Sequence, residues 1–133
     1  MRRDLPEIAP PEGPPPARLV VRDLEEGDGR PVEPPDHVAV RYVGAAYETG
    51  ETFDRRTTPF YVQLGKGRVM PGFDRAIAGM RLGGRREAIV PPRLTFDEAG
   101  EGETLVYVID LLGFESGAEY ERRLETSEPA PFP

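Results

Sequence analysis

Few residues in this chain could break or make covalent bonds. His37 is the only histidine and cysteine is absent, so a histidine-based nucleophilic triad and a typical zinc site both have too few parts. His37 itself opens an apolar run and reads as an edge or surface residue. Gly65, Gly67 and Gly72 meet neither of the glycine spacings that cradle a phosphate. Asp97, Glu98, Glu101 and Glu103 lack the spacing of a calcium loop and read as a solvated stretch. No metal or cofactor is therefore expected. What remains is a set of aromatic and aliphatic side chains: Tyr42, Phe53, Phe60, Val62, Val69, Met70, Phe73, Phe96 and Tyr107. Their default role is core. Asp54 sharpens that reading, because a carboxylate set against rings is costly to bury unless it is hydrogen-bonded, and the Tyr42 hydroxyl is a plausible donor.

The elements that must carry these residues are mostly strands around one helix. In VMPGFDRAIAGM, Val69 to Met80, Pro71 can open a helix because its missing N–H would go unpaired in the first turn, and Phe73, Ala76, Ile77 and Met80 then share a face. Gly79 falls in its last turn, and Gly83 and Gly84 turn the chain onward. A helix this short needs a larger surface over its apolar stripe. Arg18 to Leu24 is a first strand candidate. HVAVRYV, His37 to Val43, is the clearest strand, with Val38, Val40 and Tyr42 facing inward. Thr52 to Asp54 follows a tight turn, and PFYVQL at Pro59 to Leu64 places Phe60, Val62 and Leu64 together. Arg85 to Val90 is a further strand. Glu103 to Leu112 is the longest, apolar on both faces and hence central. The pattern is α+β, an antiparallel five-stranded sheet wrapped over one short helix.

The length of 133 residues allows a single domain, here 18–114, between a proline-rich flexible segment at 1–17 and a polar tail at 115–133 with one weak helical stretch at Ala118 to Leu124. A formal net charge of −7 argues against a nucleic-acid partner, which would require clustered Lys and Arg. The opening MRRDLPEIAPPEGPPP has no apolar run after its arginines, so neither a signal peptide nor a membrane span is expected. A cytoplasmic monomer is the default, with a secreted form whose leader has been removed as the alternative.

Five segments, taken in order, resemble FKBP-type peptidyl-prolyl cis-trans isomerases: RYVG at 41–44, FD at 53–54, PFYVQLGKGRVMPGF at 59–73, GMRLGGRREAIVPP at 79–92 and TLVYVIDLL at 104–112. The resemblance spans roughly Arg18 to Phe114. It implies a twisted sheet curled over one helix, with a proline pocket between them. Phe73 would form the floor, where the family usually has tryptophan. Tyr42, Phe53, Phe60, Val62, Val69 and Tyr107 would form the walls, the Met70 N–H would bind a substrate carbonyl, and Asp54, held by Tyr42, would face the rotating bond. Phe96 stands where the family has a tyrosine in its flap, and the acidic loop after it is shorter than usual. The implied partners are proline-containing peptides and unfolded proteins, with macrolides such as rapamycin bound more weakly through the trimmed flap.

Two functions are thus expected in order. The first is a prolyl isomerase of broad specificity that assists folding. The second is a binding module of the same fold that holds proline-containing segments with little or no turnover.

Overall fold

The computed structural model describes residues 8, 12–95 and 102–129. Five strands, β1 (Val20–Glu25), β2 (His37–Ala46), β3 (Thr52–Gln63), β4 (Arg85–Val90) and β5 (Leu105–Glu115), and two helices, α1 (Pro71–Ile77) and α2 (Gly117–Thr126), follow one another along the chain. The sheet runs β1-β4-β5-β2-β3, and every neighbouring pair is antiparallel. The central place of β5 explains its apolar residues on both faces: Val106 and Val108 are 1% exposed on one side, while Tyr107, Ile109 and Leu111 join the core on the other.

Cross-strand rows decide which side chains meet. One row sets Asp54 of β3 beside Gly44 of β2, Tyr107 of β5 and Ala88 of β4; the next row but one, on the same face, sets Arg56 beside Tyr42, Ile109, Arg86 and Asp23. Thr52–Asp54 and Pro59–Leu64, expected as separate pieces, belong to one long strand. The register slips between Val40↔Phe60 and Tyr42↔Arg56, so the extra residues of β3 around Pro59 form a bulge, where a residue without an N–H is tolerated.

α1 lies over the concave face and buries Gly72, Phe73, Ala76 and Ile77. Burial of Phe73 and Ile77 contributes roughly 1.5–3 kcal/mol each. Gly72 permits the close approach, since a Cβ there would collide with Val90. The helix is shorter than its apolar pattern suggests. It ends at Ile77, and Gly79, at φ +93°, lies beyond it in the left-handed region open to glycine. There the Gly79 N–H donates to Val32 O at 2.8 Å and the Val32 N–H to Met80 O at 2.8 Å, which pulls the chain off the helical path. Arg86 caps this end. Its Nη1 donates to the carbonyls of Ala76 and Ala78 at 2.9 and 3.0 Å, while its Nε donates to Asp23 of β1 at 2.7 Å. A cation at the carboxyl end of a helix is favourably placed against the helix dipole.

On the convex face Asp110 of β5 is 1% exposed and joins its neighbouring strands, accepting from Arg41 Nε of β2 at 2.9 Å and Arg85 Nε of β4 at 2.6 Å. The Arg85 guanidinium is held above its ordinary pKa by that carboxylate. Nearer the chain start, the Tyr47 hydroxyl lies 3.0–3.3 Å from the carbonyl oxygens of Glu12, Gly13 and Pro14.

The weak helical stretch expected at Ala118 to Leu124 is a full helix, α2. Ser116 accepts from the Glu119 N–H at 3.1 Å and Glu119 accepts from the Ser116 N–H at 2.8 Å, a reciprocal cap that fixes the start of a ten-residue helix. The Ser116 contacts also hold the Glu119 carboxyl below its ordinary pKa. α2 is anchored from one side: Tyr120 stacks on His37 with ring centroids 3.6 Å apart, and Arg123 pairs with the buried Glu115 at 2.6 Å.

Candidate active site

The concave face and α1 leave a pocket of about 260 Å³ between them. β2 contributes Tyr42, β3 Asp54 and Phe60, β5 Tyr107 and α1 Phe73; Arg68, Val69 and Met70 come from the loop leading into the helix. That loop is tied back by Asp74, in the first turn of α1, whose carboxylate accepts the Gly65 N–H at 3.0 Å.

Three rings form the heart of the pocket. Tyr42, Phe73 and Tyr107 meet pairwise at centroid distances of 5.0, 5.3 and 5.7 Å and interplanar angles of 65–71°. This edge-to-face geometry contributes about 0.5–1.5 kcal/mol per pair beyond burial. Phe60 extends the set, with its ring 6.1 Å from Tyr42. Gly44 makes the arrangement possible: a Cβ at that position would stand 2.6 Å from Tyr107 Cε1.

The carboxylate of Asp54 is hydrogen-bonded to the Tyr42 hydroxyl. Burial, then the charge and hydrogen bond of Asp54, raise the Tyr42 pKa, with Arg56 opposing them. Burial, followed by the nearby charges of Asp54 and Tyr42, pushes the Tyr107 phenol far above the usual tyrosine range. Both phenols are consequently neutral donors at pH 7. The Met70 carbonyl accepts from Phe73 and Asp74 N–H groups, while the Met70 N–H has no partner among the described residues.

Two other residues expected here, Val62 and Phe53, do not line the pocket. Val62 is 7% exposed and packs in the core. Phe53 is 52% exposed and sets its ring edge-on to Tyr107 at 5.9 Å. Phe96 and the acidic stretch from Asp97 to Glu101 lie outside the described residues. Arg68 is the lining residue that sequence reading missed, because a lone cation in a glycine-rich turn has no periodicity to mark it. Among the described residues no group of three His, Cys, Asp or Glu side chains could hold a metal.

The assembled chemistry contains no activated nucleophile. It offers a pocket walled by aromatic rings, with one carboxylate, one guanidinium and one main-chain donor. A family model of FKBP-type peptidyl-prolyl cis-trans isomerases matches residues 28–112. The chain belongs to that family. An FK506-binding protein of Streptomyces anulatus is 43% identical to this FKBP-type protein over 122 residues, covering 84% of this chain and 98% of that one. Among solved structures, FKBP12 of Mycobacterium tuberculosis superposes with a TM-score of 0.60 at 41% identity, covering 84% of this chain and 95% of the other. FkpA from Escherichia coli gives a TM-score of 0.64 at 28% identity over 74% of this chain, which spans 48% of FkpA. The family match closes at 112, so α2 lies outside the matched segment of this FKBP-type chain.

Proposed function

We propose that this FKBP-type protein accelerates rotation about X-Pro peptide bonds of polypeptide clients in the pocket floored by Phe73, and so assists folding. The observation that carries this reading is the closed triangle of Tyr42, Phe73 and Tyr107 beside a carboxylate bonded to one of its phenols.

Rotation about an X-Pro bond faces a barrier of roughly 18–20 kcal/mol from amide resonance and takes tens of seconds or longer unaided. No covalent bond breaks. The planar amide is more dipolar than its twisted form, so water favours the ground state; transfer into an apolar box removes that advantage. The prolyl ring packs on Phe73 between Tyr42 and Tyr107, and the Met70 N–H accepts the load of a substrate carbonyl by donating to it. Asp54, oriented by Tyr42, faces the turning bond. A thousandfold acceleration requires about 4 kcal/mol of preference for the twisted geometry, a modest demand on a box of this kind. The pocket volume of about 260 Å³ falls just below the usual range of drug-binding cavities, roughly 300–1,000 Å³. It suits a prolyl residue and gives a macrolide only partial enclosure, so macrolide binding is proposed as weak.

The test is a protease-free peptide assay or NMR exchange measurement on wild type, Asp54→Leu and Tyr42→Ala. We expect kcat/KM to fall about tenfold or more in each variant, the loss of about 1.4 kcal/mol or more of transition-state stabilisation. Wild-type turnover no faster than either variant would refute catalysis at this pocket. Saturable peptide shifts without accelerated exchange would instead favour the binding module.

A further inference from the structure

We propose that the cleft between β3 and α2 is a second docking site for the same client chain, selecting segments that carry a carboxylate close to their proline, with Arg68 as the specificity-determining cation. The inference rests on the isomerase reading and names the substrate class of that site.

The cleft measures about 780 Å³ and shares Phe60 and Arg68 with the proline pocket, so the two spaces adjoin at those two side chains. Its far wall is fixed in place. The reciprocal cap of Ser116 and Glu119 starts α2, Tyr120 stacks on His37, and Arg123 is locked to Glu115. On the near side β3 is an outermost strand of the sheet, and an outermost strand can take an extended peptide as an additional one. Tyr61 is 54% exposed there, and beside Phe60 it offers a surface for an apolar or aromatic client side chain.

Charge sets the preference. The titratable side chains with formal charge or a near-neutral pKa lining the cleft are His37, Arg68, Glu115 and Arg123. Glu115, 3% exposed, is neutralised by Arg123. His37 is held below its ordinary pKa, chiefly by burial, and is neutral at pH 7. Arg68 is exposed, without a carboxylate partner among the described residues. Next to the shared side chains, Arg56 and the Asp54 carboxylate act on Tyr42 in opposite senses and offset each other, which leaves Arg68 to set the sign. The cleft is therefore locally positive on a chain of formal net charge −7. Complementary charge of this kind chooses among partners more than it tightens any one of them.

The experiment measures exchange rates for peptides with one X-Pro core, extended on either side by Phe-Glu or by Phe-Lys, beside the unextended core. Wild type should turn over an acidic extension about fivefold faster in kcat/KM than its basic counterpart, near the ceiling for a single exposed ion pair. High salt should erase the ratio. Arg68→Glu should invert it and Arg68→Lys should keep it; because each ratio is taken within one variant, any change in the pocket itself cancels. A wild-type ratio near one on both sides, with the unextended core still turned over, overturns the docking site and leaves the isomerase standing. Should no peptide be turned over, the isomerase reading fails, and amide shifts at Tyr61, Gln63 and Tyr120 judge the cleft alone: larger shifts with the acidic peptide support it, and none with either overturns it.

Discussion

Replacing Gly44 by alanine is a one-carbon probe of the pocket wall. Gly44 sits on β2 between Asp54 and Tyr107 in their cross-strand row, and it lies outside the left-handed positions that favour glycine, so alanine meets no backbone penalty. The new Cβ would stand 2.6 Å from Tyr107 Cε1 and 3.1 Å from Cδ1 and Cζ. Carbon atoms settle at about 3.5–4.0 Å, so the ring must retreat by about 1 Å. Its path is obstructed by Tyr42 and Phe73, whose centroids lie 5.7 and 5.3 Å away. Overpacking of this kind costs about 1–3 kcal/mol, and a displacement of about 1 Å at a reacting site can cost up to a hundredfold in rate. Urea denaturation should therefore show a lower midpoint with unchanged slope, and peptide exchange should show kcat/KM reduced tenfold or more. An alanine variant with both the midpoint and the rate of wild type would mean that Tyr107 does not stand where the reasoning requires.

Two further outcomes follow from the same geometry. Asp110→Asn leaves the partly buried Arg41 and Arg85 facing a neutral amide and should cost about 3 kcal/mol in chemical denaturation; a loss below about 1 kcal/mol would contradict the assigned pairing. The phenol of Tyr107 is held above its unfolded pKa. The stability this represents is complete below pH 10 and declines as pH rises further, because the unfolded chain releases its proton first, by up to about 1.4 kcal/mol per pH unit. Tyr107→Phe should make the decline shallower in denaturation series from pH 8 upward, and an identical slope would count against a buried, protonated phenol.

Much of the architecture was legible because burial follows backbone period. Arg85 to Val90 alternates so cleanly that the expected and observed limits of β4 coincide, and the two apolar faces of β5 announced its central place. Failures arose where distant partners decide. Nothing local to Gly79 reveals that Val32 will draw the chain away from α1, and Pro59 broke the strand pattern although a bulge accommodates it. α2 reads only weakly in the sequence because it buries none of its own residues, although the Ser116-x-x-Glu119 signature marks its start. Pattern alone leaves Tyr42, Phe60, Val69, Met70, Phe73 and Tyr107 as core by default; it is the family resemblance that assigns them, with Asp54, to a pocket, and all seven line the space beside α1. Val62 keeps its default place in the core, while Phe53 falls at a second slip of register, between Gly44↔Asp54 and Ala45↔Thr52, which no spacing encodes.

The outermost strand β1 exposes all six of its side chains, yet through Asp23 it steadies the Arg86 guanidinium that grips the tail of α1. The sheet's wet margin thus works as a guy-rope on the floor of the pocket. A protease nick or a competing pairing that peels this margin away would slacken the rope and let Phe73 tilt, so the chain's least sheltered strand can silence a site it never touches.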